Sequence, residues 1–115
     1  MIIRFSLSVA LLAASQGCAS AQDEDPNFKR VVEPWIDAFA DCLKEHVPAQ
    51  AKTGLSANDA TDATFAACED ERERLEHVYL RPPYGETPES AKAIVQQAVD
   101  TLRPLVLADI EHLRD

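Results

Sequence analysis

The stretch CLKEHVPAQAKTGLSANDATDATFAAC, residues 42 to 68, begins and ends with a cysteine and has a glycine near its middle. Gly54 is a residue that commonly ends a helix. Ser56 is a good cap for the start of another helix, and Asp59 stands three residues later, where a capping box places its acidic partner. The stretch therefore predicts a helical hairpin that turns at Gly54 and the residue after it.

The two cysteines of this stretch are placed symmetrically about the turn. Cys42 lies twelve residues before Gly54, and Cys68 lies twelve residues after Ser56. On antiparallel helices both lie roughly 18 Å from the tip, at 1.5 Å per residue. Both also fall on the apolar sides of their helices, and their spacing is too wide for a CxxC redox site. We predict a Cys42–Cys68 disulfide, with two buried thiols as the alternative.

The segment before the hairpin also has helical periodicity. The apolar face of this segment contains Phe28, Val32, Trp35, Phe39, Leu43 and His46. Asp25-Pro26 predicts the start of the helix. Pro34 either kinks this helix or starts the main helix at its own first position, and we favour the second alternative. Pro48 either ends the helix or lets it continue to Gly54, and the sequence leaves both alternatives open.

Two further helices follow the turn. The first is expected over residues 57 to 80, and its inward side contains Thr61, Thr64, Cys68, Leu75 and Tyr79, with Phe65 and Val78 beside them. Prolines and a glycine at 81 to 85 end this helix and form a loop, and Thr87-Pro88 starts the last helix. Pro104 predicts a kink or a split in that helix. The fold class is therefore all-α: a small antiparallel bundle of three long helices, which prolines can divide into four or five segments.

The first 21 residues have the features of an export signal. Arg4 supplies a positive charge, residues 5 to 14 are mostly apolar, and Ala19-Ser20-Ala21 has the A-x-A pattern of a cleavage site. The apolar run is too short to span a bilayer, which needs about 20 residues. We predict a signal peptide over residues 1–21, with cleavage between Ala21 and Gln22.

Cys18 offers an alternative route of processing, in which it accepts a lipid and anchors the protein to a membrane. Gly17 suits such a site. However, Ser15 occupies the position where lipoprotein signals usually have a large apolar residue, and Gln16 is bulky and polar. We therefore expect a periplasmic or secreted protein, with a lipid anchor at Cys18 as the alternative.

The mature chain would have an acidic tail over residues 22–26 and a single helical domain over residues 27–115. Loss of Arg4 would leave 10 of the 11 basic residues against 20 acidic ones, a net charge of −10. This charge disfavours binding to nucleic acid or to an anionic membrane surface. The core of such a short chain is modest, so a disulfide would contribute a large share of its stability.

The cysteine arrangement resembles that of small exported helical proteins of Gram-negative bacteria, which have one cysteine on each arm of a helical hairpin. The resemblance covers Trp35 to Leu80 and rests on Cys42 and on Ala66-Ala67-Cys68. Those proteins are largely uncharacterised. The resemblance therefore implies a fold and a location, but no activity and no catalytic residue.

Motifs of catalysis and metal binding are missing from this sequence. It has no GxSxG, no HExxH and no glycine-rich phosphate loop. Only Asp109-x-x-His112 comes close to a Glu-x-x-His metal pair, and His46 and His77 have no acidic residue three positions before them. We expect no enzyme, no cofactor and no dedicated metal site, and we interpret His46 as a half-buried core residue near the end of the hairpin.

The remaining function classes depend on binding to another protein. We expect an interaction module of the cell envelope, which would use an exposed helix face or the loop at 82 to 85. Tyr84, Tyr79 and Trp35 are its candidate anchors, although Trp35 is more typical of a core. One alternative is an acid-responsive, chaperone-like periplasmic protein, suggested by the net charge. The other is an inhibitor or immunity protein for a secreted partner.

The charged run at 69 to 77 is interpreted as a solvated helix face, with Asp70–Arg74 and Arg72–Glu76 as supporting pairs.

Overall fold

The computed structural model describes residues 26–115, which form helices joined by short loops. A π-helical segment, Phe28–Val32, leads directly into α1, Glu33–Ala51, and is followed by α2, Ala57–Ala67, α3, Glu69–Leu80, and α4, Pro88–Arg114. Residues 26–115 contain no strand, and the predicted all-α class is confirmed. The predicted signal peptide, its cleavage site at Ala21-Gln22, the alternative lipid site at Cys18 and residues 22–25 of the acidic tail lie outside the described residues.

The helices form an antiparallel bundle, as predicted. Arg72 of α3 donates a hydrogen bond to Gln96 of α4 at 2.7 Å, and Asp62 of α2 pairs with Arg103, further along α4, at 2.6 Å. The contact residue on α2 comes earlier in the sequence than the one on α3, but its partner on α4 comes later. Helix α4 therefore runs antiparallel to both. Helix α1 packs against each of the other three helices.

Pro34 accounts for the π-helical turn before α1. Proline has no N–H, so it cannot bond to the carbonyl of Arg30 four residues earlier. The ring of Pro34 also clashes with that carbonyl, so the preceding turn widens and the N–H of Glu33 bonds to the carbonyl of Phe28, five residues back, which is the π-helical pattern. The main helix therefore has Pro34 in its first turn, as favoured from the sequence, although the preceding turn runs into it without a break.

Two other prolines lie inside helices. Helix α1 continues through Pro48 to Ala51, which decides between the two alternatives in favour of the longer helix. Helix α4 continues through Pro104, so a split at that position is wrong. Both prolines are exposed. Each proline leaves the carbonyl four residues before it without a helical partner. That carbonyl lies on the same exposed side of the helix as the proline, where water can bind it. Packing of the remaining turns compensates for a cost of about 3 kcal/mol at each proline.

The middle helix is broken at Cys68, which the sequence did not predict. Cys68 has φ −111° and ψ 26°, and its N–H bonds to the carbonyl of Phe65 at 3.1 Å. No glycine or proline marks this break, and Ala66 and Ala67 favour a helix. Helix propensity is a weak preference that tertiary constraints override. Here the constraint is that Cys68 is fully buried and bonded to α1.

The core lies between α1 and the other three helices. It consists of Val32, Phe39, Leu43, Val47, Ala60, Cys68, Leu75, Val95, Val99, Val106 and Ile110. The rings of Phe39 and Phe65 contact each other across α1 and α2, with centroids 6.1 Å apart. Trp35, expected in the core, is 42% exposed instead. Val32 and Phe39 occupy the centre of the buried face, so Trp35 lies at its edge and borders a groove.

Candidate functional site

A disulfide joins Cys42, in the middle of α1, to Cys68, at the break between α2 and α3. The two Cα atoms are 6.0 Å apart, within the range that a disulfide spans. The predicted pairing is confirmed. Cys68 is fully buried, whereas Cys42 is half-buried. Cys42 is therefore partly accessible from outside, whereas Cys68 is enclosed by the bundle.

The imidazole of His46 lies beside this disulfide. A ring nitrogen of His46 and the Sγ atoms of Cys42 and Cys68 all lie within 4.8 Å of one another. The residue is half-buried, as predicted, but its neighbours were not foreseen. The signal was present in the sequence, because Cys42 and His46 are four residues apart on one helix and share a face. A Glu-x-x-His pattern does not detect it, because the donor atoms beside His46 are sulfurs.

Cys42 opens onto a shallow cavity of about 640 Å³ between α1 and α3. The cavity is lined by Ala38, Asp41, Cys42, Lys44, Glu45 and Glu71. Three of these side chains are carboxylic acids and one is a lysine. The surroundings of Cys42 on this side are therefore net negative, which favours the approach of cations.

A second feature is an apolar groove between α1 and α4, here called the α1–α4 groove. It is lined by Ala40, Leu43, Val47, Leu102, Leu105 and Val106, with Lys44 of α1 and Asp109 of α4 as its charged residues, and has a volume of about 290 Å³. Leu105 is 60% exposed. Because most of the lining is aliphatic, this groove suits apolar side chains.

The α1–α4 groove continues towards the end of α4. A depression of about 210 Å³ shares Lys44, Val47 and Asp109 with it and adds Pro48, His112 and Leu113. Leu113 is 54% exposed. Leu105 and Leu113 are eight residues apart on α4, and the helix between them buries Val106 and Ile110 in the core. Helix α4 therefore has more apolar surface than the bundle covers, and the excess lies along this groove.

The exposed Trp35 borders a third groove, of about 460 Å³, between α1 and α3. The other lining residues are Asp70, Glu73, Arg74, His77, Val78 and Arg81. Of the two ion pairs predicted in the charged run, Arg72–Glu76 forms at 3.4 Å. Asp70 and Arg74 both line this groove. Its mixed charges make it more polar than the α1–α4 groove.

The two candidate tyrosine anchors pack against each other. The rings of Tyr79 and Tyr84 have centroids 5.3 Å apart, and both residues are half-buried. Burial raises the pKa of the Tyr79 phenol above its ordinary value, and the neighbouring Tyr84 adds to this shift. The tyrosines therefore fix the loop after α3 against the bundle instead of projecting from it.

Comparison of the chain with protein-family models, with curated proteins and with solved structures finds no match in any of the three. None of the helices within residues 26–115 is long and apolar enough to cross a membrane. The class of the protein is thus defined by its fold and covalent structure, as a small all-helical bundle with a Cys42–Cys68 disulfide.

Proposed function

We propose that this protein is an exported binding module that holds an amphipathic helix of a protein partner in its α1–α4 groove. The observation that carries the proposal is the exposure of two large aliphatic side chains along one groove, Leu105 at 60% and Leu113 at 54%. Contiguous exposed apolar surface bordered by polar residues is typical of a protein interaction site.

The shape of the groove favours a helix as its occupant. Leu102, Leu105 and Leu113 lie along α4 over eleven residues, or roughly 16 Å, which is three helical turns. A partner helix with apolar residues at positions i, i+3 or i+4, and i+7 can place them along this length. The two depressions, of about 290 and 210 Å³, lie in a row along the groove and can each receive a side chain of such a helix.

The charges at the groove define the partner further. Lys44 lies on the α1 side and Asp109 on the α4 side. A partner helix with an acidic residue beside Lys44 and a basic residue beside Asp109 would be oriented in the groove by these two pairs. Charge complementarity of this kind contributes to specificity more than to affinity.

Three features of the chain support export. They are the signal-like residues 1–21, the disulfide, which persists in oxidising compartments, and the resemblance to small exported proteins with a cysteine on each arm of a hairpin. Binding through aliphatic packing requires no catalytic group, so the proposed role is non-enzymatic.

The experiment compares three forms of the mature protein as baits for proteins from the envelope of the organism that makes it. They are the wild type, a Leu105→Glu/Leu113→Glu variant and, as a control, Leu55→Glu. Leu55 is 43% exposed at the hairpin tip, outside the groove. We expect one partner to bind the wild type and the control, and at least tenfold less of it to bind the groove variant.

Three outcomes would contradict the proposal. They are capture of the same proteins by all three baits, capture of none by the wild type, and dimerisation of the purified protein through Leu105, which would make a second copy the occupant. A partner that is itself a secreted protein and loses its activity on binding fits the inhibitor or immunity alternative. Many unfolded clients, bound mainly near pH 3, fit the acid-responsive chaperone.

A further inference from the structure

We propose that reduction of the Cys42–Cys68 disulfide creates a zinc site, in which both thiolates and the imidazole of His46 bind one Zn²⁺ ion. The disulfide would then be one state of a two-state cross-link. In the other state, the metal joins α1 to the junction of α2 and α3. This inference does not depend on the α1–α4 groove.

The positions of the three side chains fit a zinc ion. In a tetrahedral site, bonds of about 2.3 Å to sulfur and 2.0–2.1 Å to nitrogen place the donor atoms roughly 3.5–3.8 Å apart. The donor atoms of Cys42, His46 and Cys68 lie within 4.8 Å of one another. Once the sulfur–sulfur bond is broken, small side-chain rotations are enough to reach this arrangement. Two thiolates and one imidazole form a donor set that zinc favours.

The step requires a reductant, and a dithiol can supply it. One thiolate of the dithiol attacks the sulfur of Cys42, the half-buried residue that lines the open cavity, and the bond to Cys68 breaks with its electron pair on the Cys68 sulfur. The second thiol of the reagent then displaces the Cys42 sulfur. The reagent leaves as a disulfide, and both cysteines have gained one electron and one proton each.

Zinc binding completes the conversion. The ion displaces the two thiol protons and accepts a lone pair from the neutral imidazole of His46. The carboxylates of Asp41, Glu45 and Glu71 line the same cavity and favour entry of a cation. The cavity leaves the fourth coordination position open to water. A sulfur in the intact disulfide is a poor ligand, so binding depends on the redox state.

The test compares the oxidised protein with protein that is reduced by a dithiol and then freed of the reagent without air. Each form is titrated with Zn²⁺ against a chromophoric chelator, and Co²⁺ is used as a spectroscopic probe of thiolate ligation. We expect one equivalent to bind the reduced protein and none to bind the oxidised one. His46→Ala should weaken binding by at least tenfold, whereas His77→Ala, which changes a histidine outside the cluster, should leave it unchanged.

Circular dichroism distinguishes this site from binding by an unfolded chain. The reduced wild type should gain helicity or thermal stability on adding zinc, because a ligand that binds only the folded state stabilises it. Equal zinc affinities of reduced wild type and His46→Ala would overturn the proposal. So would zinc binding by the oxidised protein, or binding to the reduced protein without any gain in structure.

Discussion

The guanidinium of Arg114 donates hydrogen bonds to two backbone carbonyls where α1 ends and the next turn begins, from Nε to Ala51 at 2.9 Å and from Nη2 to Thr53 at 3.3 Å. The last carbonyls of a helix have no partner within the helix, and a cation interacts favourably with the helix dipole there. The last turn of α4 thus caps α1 and fixes the α1–α2 turn against the bundle.

We therefore expect Arg114→Ala to destabilise the protein by about 1 kcal/mol, the scale of one net hydrogen bond. The melting temperature should fall by about 4–8 °C for a domain of this size. Lys92→Ala, a change at an exposed position of the same helix, is the control and should lower it by much less. Equal melting temperatures of the two variants would show that the Arg114 cap contributes nothing.

The disulfide should contribute more than any other single interaction of the hairpin. Replacing both Cys42 and Cys68 by Ser should cost about 2–5 kcal/mol, the range for native disulfides of small secreted domains. Melting should then fall by at least roughly 10 °C. Calorimetry of the metal-free protein, before and after reduction, supplies the matched comparison, because reduction removes the bond without changing either residue. Cys68→Ser alone should leave Cys42 able to form disulfide-linked dimers.

The number of free thiols tests whether this disulfide forms in the cell. The protein isolated from the cells that make it, unfolded without reductant, should react with no thiol reagent at Cys42 or Cys68. Reaction at two thiols would mean that the cross-link does not form in the cell.

The features that the sequence predicted correctly are local or depend on simple spacing. Helical periodicity, the Ser56 and Thr87 caps and the positions of the prolines are properties of neighbouring residues, and both caps accept the expected hydrogen bonds. The disulfide was predictable because the turn between Ala51 and Ala57 lies midway between the two cysteines, and equal distances from a turn place residues level on antiparallel helices.

The features that were missed depend on how the helices pack. The break at Cys68 has no residue that would signal it, and the exposure of Trp35 depends on how far α3 covers the edge of α1. The closeness of Cys42 to His46 follows from their spacing on one helix, but that of Cys68 depends on the distance between two helices, which a periodic pattern does not provide. The α1–α4 groove was likewise hidden, because Leu105 and Leu113 continue the apolar pattern of α4 and periodicity does not distinguish them from its core residues.

Alkaline pH should weaken the fold through Tyr79. Burial raises the pKa of this phenol above its ordinary value of 10.0, and the neighbouring Tyr84 adds to the shift. The fold thus favours the neutral phenol, so this contribution to stability is full below pH 10.0 and is lost as pH rises through the folded-state pKa. Denaturant unfolding of the wild type and Tyr79→Phe should show a smaller loss for the variant between pH 8 and pH 11. Parallel curves over this interval would contradict the assignment.

Two neighbouring aliphatic residues of α4 should differ sharply in their effect on stability. Ile110 is fully buried, whereas Leu113, one turn later, is 54% exposed on the flank of the α1–α4 groove. Ile110→Ala should destabilise the protein by about 2–5 kcal/mol, because it removes core contacts and leaves a cavity. Leu113→Ala should change the free energy of unfolding by about 0.5 kcal/mol or less, as is usual for surface positions. Denaturant unfolding of the free protein measures both changes.

A loss at Leu113 as large as that at Ile110 would mean that Leu113 is packed in the core and that this end of the groove is closed to a partner. A small loss at Leu113 together with a large one at Ile110 would show that the Leu113 side chain is available for binding.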